Sequence, residues 1–240
     1  MRVAVLSDIH ANLAALDSVI DSFGSVDAVW HLGDVVGYGP QPDAVVSRLG
    51  SIGAVGVRGN HDAAAVGGNE IEWFNPDARA AMEWTRSHIT GATRDWLAGL
   101  PERHTEGHFG LVHGSPREPL WEYIVSVPSA RANLAALTTS FGLFGHTHLP
   151  MVFAERDGTI EQIEPADGST FALADRRALI NPGSVGQPRD GILTASFMVI
   201  DTDAGQCTWR RVPYDIGAVQ AAMTEARLPK RLIDRLSYGL

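Results

Sequence analysis

Three short apolar, β-branched runs within the first 60 residues, Arg2–Ser7, Ala28–Leu32 and Gly53–Val57, alternate with two stretches of helical spacing, Leu13–Phe23 and Asp43–Leu49. Asn12 stands where it can cap the first helix, and Gly37-Tyr38-Gly39-Pro40 makes a turn before the second. This β-α-β-α-β order predicts a parallel sheet with right-handed crossovers. Open sheets of that kind place ligands beyond the carboxyl ends of their strands. There the sequence turns polar: Asp8-Ile9-His10, Gly33-Asp34 and Gly59-Asn60-His61-Asp62 follow the three runs in turn.

Helical spacing continues through 63–100, in Ala80, Met82, Trp84 and Ile89, then Trp96, Leu97 and Leu100 before Pro101. Phe109–Val112 and Phe141–Phe144 read as further strands, with a helix over Arg131–Leu137 between them. They deliver His113-Gly114 and Gly145-His146-Thr147-His148. Short strands are then expected at Pro150–Ala154, Thr159–Ile163, Thr170–Leu173, Ala178–Ile180, Thr194–Ile200 and Gln206–Val212, separated by Gly-containing turns. That is an antiparallel half after a parallel one, closed by an amphipathic helical tail from Ile216. No repeat, low-complexity stretch or flexible linker divides the chain, so one domain over residues 1–240 is expected.

Composition narrows the classes. With 45% apolar residues the chain can bury a substantial core, and a net charge of −9 argues against broad binding to nucleic acid or anionic lipid. No uncharged apolar run reaches the roughly 18 residues of a membrane span. The first eight residues turn polar too early for a secretory signal. The lone Cys207 excludes an internal disulfide and a Cys-rich zinc site, and it reads as structural within a late strand. A soluble cytoplasmic protein with no membrane or stable nucleic-acid partner is expected. Homo-oligomerisation stays open, since the later strands and the tail both offer faces.

The five polar segments share a chemistry. Strand geometry points residues i and i+2 the same way, which sets Asp8 with His10 and His146 with His148. Asp8, His10, Asp34, Asn60, His113, His146 and His148 then offer two carboxylates, one amide and four imidazoles. Such a set is too large for one four-coordinate zinc, but suits two metals sharing a bridging carboxylate. Oxygen and imidazole donors without thiolate favour Mn²⁺, Fe²⁺ or Zn²⁺.

Those same segments, in that order, resemble the signature of the calcineurin-like metallophosphoesterases. The wider phrases Ser7-Asp8-Ile9-His10-Ala11-Asn12-Leu13, Leu32-Gly33-Asp34 and Asn181-Pro182-Gly183-Ser184 are similar to the small prokaryotic phosphoesterases and phosphodiesterases of that superfamily. Ala11, where many relatives carry Gly, touches a turn and no ligand. The resemblance implies a four-layer αββα sandwich of two mixed sheets flanked by helices. It implies one metal on Asp8, His10 and His148, a second on Asn60, His113 and His146, and Asp34 bridging both. His61 would face the substrate as a catalytic histidine, with Asp62 its orienting partner. Two divalent ions, Mn²⁺ first with Fe²⁺ or Zn²⁺ as alternatives, would outweigh the two carboxylates and attract a phosphate. A bridging hydroxide would attack phosphorus directly, and His61 would protonate the leaving group or stabilise the phosphoryl oxygens.

The expected substrate is thus a small phosphomonoester, phosphodiester or nucleotide. A protein phosphatase, a dinucleoside polyphosphate hydrolase and a catalytically silent metal-binding scaffold are the rivals. Other polar residues are read blandly: His31, His88, His104 and His108 as surface or packing residues, and Trp73, Trp84, Trp96 and Trp121 as core or cap packing rather than a stacking platform. Gly114-Ser115-Pro116 lacks the pattern of a serine nucleophile elbow. Arg58, Arg117 and Arg189 lie near the motifs but are ordinary surface arginines at least as readily as phosphate grips. The segments around Gly67–Ile89 and Glu118–Val127 are candidates for the rim.

Overall fold

The computed structural model describes residues 1–67, 70–174 and 176–240. Its first strand, β1 (Arg2–Leu6), pairs in parallel with β2 (Ala28–His31), and β2 with β3 (Val55–Gly56). Between them run α1 (Leu13–Ser22), where the Asn12 side chain accepts from the Ala15 amide at 3.1 Å, and α2 (Pro42–Ser51), with Pro42 in the first turn. The chain continues through α3 (Asn60–Val66), a 3₁₀ turn (Glu70–Trp73), α4 (Pro76–His88) and α5 (Gly91–Gly99). Next come β4 (Arg103–Glu106), β5 (Phe109–Val112), α6 (Val127–Ala136) and β6 (Phe141–Leu143). The remainder is β7 (Pro150–Arg156), β8 (Thr159–Ile163), β9 (Thr170–Ala172), β10 (Arg177–Pro182), β11 (Ala195–Asp201), β12 (Gln206–Val212), α7 (Ile216–Glu225) and α8 (Lys230–Arg235).

The strands form two six-stranded mixed sheets, ordered β3-β2-β1-β11-β12-β9 and β4-β5-β6-β10-β7-β8. The later, mostly antiparallel strands are shared between the two sheets: β9, β11 and β12 complete the first, and β7, β8 and β10 the second. Beside β2, β1 is apolar on both faces and needs a second neighbour equally buried, which β11 supplies in antiparallel register. Local periodicity reports a strand but not the sheet it will enter. The sequence reading also missed β4, because Arg-His-Thr-Glu carries no apolar alternation; it is a mostly exposed edge strand. Helix α6 begins four residues earlier than expected, since Ser126 caps it and Pro128 fits its first turn.

Val3, Val5, Met198 and Ile200 of the first sheet pack against Leu111, Leu143, Val152 and Ile180 of the second. The outer face of the first sheet is covered by α1, α2, α3, α4 and α5, and that of the second by α6. The result is the four-layer αββα sandwich. Trp209 of β12 is buried in the inter-sheet core and donates from Nε1 to the Asn181 carbonyl of β10 at 2.9 Å, which fastens one sheet to the other. Among the described residues, no helix is long and apolar enough to cross a membrane.

Candidate metal centre

Beyond β1 and β2 the backbone keeps pairing as loops: the Asp8 amide donates to the Gly33 carbonyl at 3.1 Å, and the His10 amide to the Asp34 carbonyl at 2.9 Å. In the second sheet the Gly145 amide reaches the His113 carbonyl at 2.8 Å, and the Gly186 amide the Asp8 carbonyl at 2.9 Å. These loops meet so closely that glycine is obligatory. A Cβ on Gly33 would stand 2.7 Å from Gly59 Cα, and one on Gly59 would stand 2.8 Å from Asp34 Cγ.

Asp8, His10, Asp34, His146 and His148 all have φ between 50° and 64°, a region that few residues other than glycine occupy. Such strain gathers at sites that the surrounding structure over-determines. It also corrects the strand-alternation argument. Neither Asp8-x-His10 nor His146-x-His148 lies in a strand, and the left-handed turns send His146 and His148 to different places.

Two adjoining clusters result. In one, His148 Nε2 lies 3.3 Å from Asp8 Oδ1 and 3.1 Å from His10 Nε2. In the other, His113 Nε2 lies 2.9 Å from Asn60 Oδ1 and 3.1 Å from His146 Nδ1. Asp34 Oδ2 stands between them, 3.7 Å from His10 Nε2 and 3.3 Å from His113 Nε2. All seven side chains are buried.

The tautomers decide what such a cluster can hold. His10, His113 and His148 each point Nδ1 at a backbone carbonyl, of Val36 at 3.3 Å, Leu32 at 2.8 Å and Gln187 at 2.6 Å. A carbonyl only accepts, so Nδ1 carries a proton in all three, and Nε2 of the neutral His10 and His148 presents a lone pair inward. Lone pairs of His10 and His148 facing each other at 3.1 Å repel unless a cation lies between them. Donors about 2.1 Å from one ion at angles of 90–110° are themselves about 3.0–3.4 Å apart, close to the spacings found. The residues present fit a pair of divalent ions.

Electrostatics agree. Burial pushes His10, His146 and His148 well below the ordinary imidazole range, so they are neutral bases. Burial also disfavours charge on Asp34, but His113 and His61 beside it hold its carboxyl well below the usual range. His113 is the counterpart: against burial, Asp34 pushes it up to about 9. Burial and then the charge of Asp34 raise Asp62 to about 7.

His61 sits at the start of α3, its amide donating to Asp34 Oδ1 at 2.9 Å and its Nδ1 buried without a hydrogen-bond partner among the described residues. Burial brings it down to about 4. Asp62 is not its orienting partner. Successive residues on a helix point about 100° apart, and the Asp62 oxygens accept instead from the amides of Val36 at 3.1 Å and Gly59 at 2.9 Å. The carboxylate fastens the two loops that carry Asp34 and Asn60.

A cleft of about 960 Å³ opens over Asp34, Asn60, His61, His146 and His148. Both expected rim segments contribute, through Trp73, Phe74 and Asp77 and through Trp121 and Tyr123; residues 68 and 69 lie outside the described residues. Trp73 and Trp121 therefore face a cleft rather than a core, whereas Trp84 stacks on His88 and Trp96 on His31. Arg189 also lines the cleft, while Arg58 pairs with Glu102 and Arg117 with Glu122. The basic wall from α8 went unread in sequence, because nothing local ties residues 230–235 to the motifs. His31 is buried, His88 and His108 are exposed, and His104 faces Glu106 at 3.6 Å. Ser115 bonds Glu122 at 2.5 Å, and Cys207 is buried in β12.

Comparison with known proteins matches residues 1–205 to the calcineurin-like phosphoesterase superfamily domain. The crystal structure of a metallophosphoesterase from Sphaerobacter thermophilus superposes with a TM-score of 0.93 and 41% identity, covering 100% of this chain and 99% of that one. An uncharacterized protein of Methanocaldococcus jannaschii is 33% identical over 99% of this chain and 98% of its own. The Escherichia coli phosphodiesterase YfcE is 28% identical over 85% of this chain and 89% of its own.

Proposed function

The chain belongs to the calcineurin-like phosphoesterase superfamily, and on that premise we propose that it hydrolyses a phosphodiester or phosphomonoester bond of a small molecule or nucleotide with two divalent cations. Asp8, His10 and His148 would hold one ion and Asn60, His113 and His146 the other, with Asp34 shared. The observation that carries this reading is the convergence of His10 and His113 Nε2 on the Asp34 carboxylate, with His148 Nε2 beside His10 and Asp8. Bound there, Mn²⁺, Fe²⁺ or Zn²⁺ would neutralise a phosphate and lower the pKa of a water so that it serves as nucleophile near neutral pH.

The chain's own residues do the rest. His61, neutral at pH 7, donates a hydrogen bond to a phosphoryl or leaving oxygen in the cleft. Asp62 and the carbonyls of Leu32, Val36 and Gln187 fix the loops and ring tautomers. The likeness to a protein named as a phosphodiesterase supports diesters over monoesters. The core shared by both sheets supports reading residues 1–240 as one domain.

The test is hydrolysis of bis-p-nitrophenyl phosphate and p-nitrophenyl phosphate by chelator-stripped protein, with Mn²⁺, Fe²⁺ or Zn²⁺ restored in turn. Turnover that returns with a divalent ion, favours the diester and is lost in Asp34→Asn supports the proposal. Two tightly bound ions without turnover would leave a metal-binding scaffold.

A further inference from the structure

Past the ligand cluster, the cleft carries two kinds of surface that hydrolysis of a simple phosphate ester does not require. One is aromatic. Trp73, 69% exposed, meets Trp121 edge-on at 5.1 Å; Trp121 lies 5.4 Å from Phe74, and Phe74 lies 4.6 Å from His61. A chain of rings thus leads from the candidate catalytic histidine to an indole left open to solvent. Indoles presented in a cleft are platforms on which a planar base stacks, whatever its identity.

The other surface is basic, in a protein of net charge −9. Arg189, Lys230, Arg231 and Arg235 line the cleft against Asp77 and Asp234. Lys230 and Asp234 pair with each other at 2.5 Å. Among the described residues, none of Arg189, Arg231 and Arg235 pairs with an acidic side chain, although Arg235 donates from Nε to the Leu240 oxygen and Arg189 from Nη2 to Gln187 Oε1 at 2.9 Å. Arg189 lies 5.9 Å over the Tyr38 ring, which is itself 4.4 Å from His61, and its Nε is buried without a hydrogen-bond partner. Burial, then Arg189 and Arg231, push Arg235 down to about 10. Crowded like charges beside a cleft call for an anion, and guanidinium groups suit phosphate.

We propose that the substrate is a nucleotide bearing a second phosphate besides the scissile one, with its base against Trp73 and Trp121 and that second phosphate on Arg231 and Arg235. This rests on the phosphoesterase reading. The cleft volume of about 960 Å³ suits one such molecule, and the acidic remainder of the chain argues against a long polynucleotide.

The test compares two esters in the Mn²⁺-loaded protein: thymidine 5′-(p-nitrophenyl phosphate) and the same compound with a 3′-phosphate. The 3′-phosphate should raise kcat/KM at least tenfold, mainly through KM. That ratio should fall toward one in Arg231→Gln/Arg235→Gln, and partway in Arg231→Gln, whose side chain is exposed and structurally undemanding. Independently of turnover, adenosine 3′,5′-bisphosphate should quench tryptophan fluorescence of the purified protein. The quench should shrink in Trp73→Phe/Trp121→Phe, and its midpoint should rise about tenfold in the double arginine variant. Hydrolysis of bis-p-nitrophenyl phosphate together with a ratio near one overturns this proposal and leaves the phosphoesterase reading standing. No turnover of any ester with any divalent ion counts against that reading instead. The quench then decides: a midpoint indifferent to Arg231 and Arg235 overturns the proposal, and a tenfold rise supports it.

Discussion

Asn181 donates from Nδ2 to the Gly145 carbonyl at 2.9 Å and to Thr147 Oγ1 at 3.1 Å, so that strand β10 holds the loop carrying His146 and His148. Its own Oδ1 accepts from the Gly183 amide at 2.8 Å, and the hydroxyl of Ser184 reaches the Asp8 carbonyl at 2.8 Å. One short segment therefore braces the loops of both ligand clusters. Asn181→Ala would leave the Gly145 carbonyl buried without that donor, at a cost of about 1–3 kcal/mol. Partners that orient ligands typically matter about 10–100-fold in metal affinity. Calorimetric titration with Mn²⁺ should show such a loss with only a modest fall in Tm; unchanged affinity would deny Asn181 the bracing role.

Gly59 separates steric from conformational reasons for glycine. A Cβ there meets the Asp34 carboxylate, whereas one on Gly50 in α2 meets nothing within 4 Å. Gly59→Ala should displace Asp34 and abolish binding of both ions. Gly50→Ala should leave binding intact and add up to about 0.5–1 kcal/mol of stability, from better helix propensity. Two paired measurements, metal stoichiometry and urea midpoint, check both outcomes, and full metal binding by Gly59→Ala would contradict the packing argument.

What the sequence disclosed follows from how local each fact is. Asp8, Asp34 and His113 could be placed because ligand-type side chains follow apolar runs, and strand ends in an α/β sheet converge. The left-handed φ of His146 and His148 could not be read, since it is imposed by loops from other strands. Asp62, which the resemblance offered as an orienting partner of His61, is turned by helix geometry toward Gly59 and Val36. Asn181 stood out by resemblance, yet its task depends on Gly145, 36 residues away. The cleft wall drawn from α8 is remoter still, and no periodicity within 230–235 announces it.

His61 and His113 are both buried imidazoles close to Asp34, but the geometry gives them different work. His113 Nε2 faces Asn60 and His146, whereas His61 Nδ1 has no hydrogen-bond partner among the described residues and its ring lines the cleft. His61→Ala should lower kcat about 10²–10³-fold, the usual loss for one donor aimed at the transition state, with two metal ions retained. His113→Ala should cost one of the two ions. Metal analysis of dialysed protein beside kcat tells them apart; loss of metal in His61→Ala would make it a ligand instead.

His31 gives the fold a pH dependence separate from the ligands. It is fully buried, stacks on Trp96 with ring centroids 5.7 Å apart, and has no hydrogen-bond partner at either ring nitrogen among the described residues. Burial alone brings it down to about 4, from an ordinary value of 6.5. Between those values the unfolded chain binds a proton that the folded chain refuses. Stability from this residue is therefore intact above about 6.5, falls as the pH drops toward about 4, and is level below that. The full span is about 3 kcal/mol at 1.36 kcal/mol per pH unit. Urea titrations at several pH values should show a shallower acid decline in His31→Leu than in the parent. Parallel curves for the two proteins would mean that His31 is already protonated, or hydrated, in the folded state.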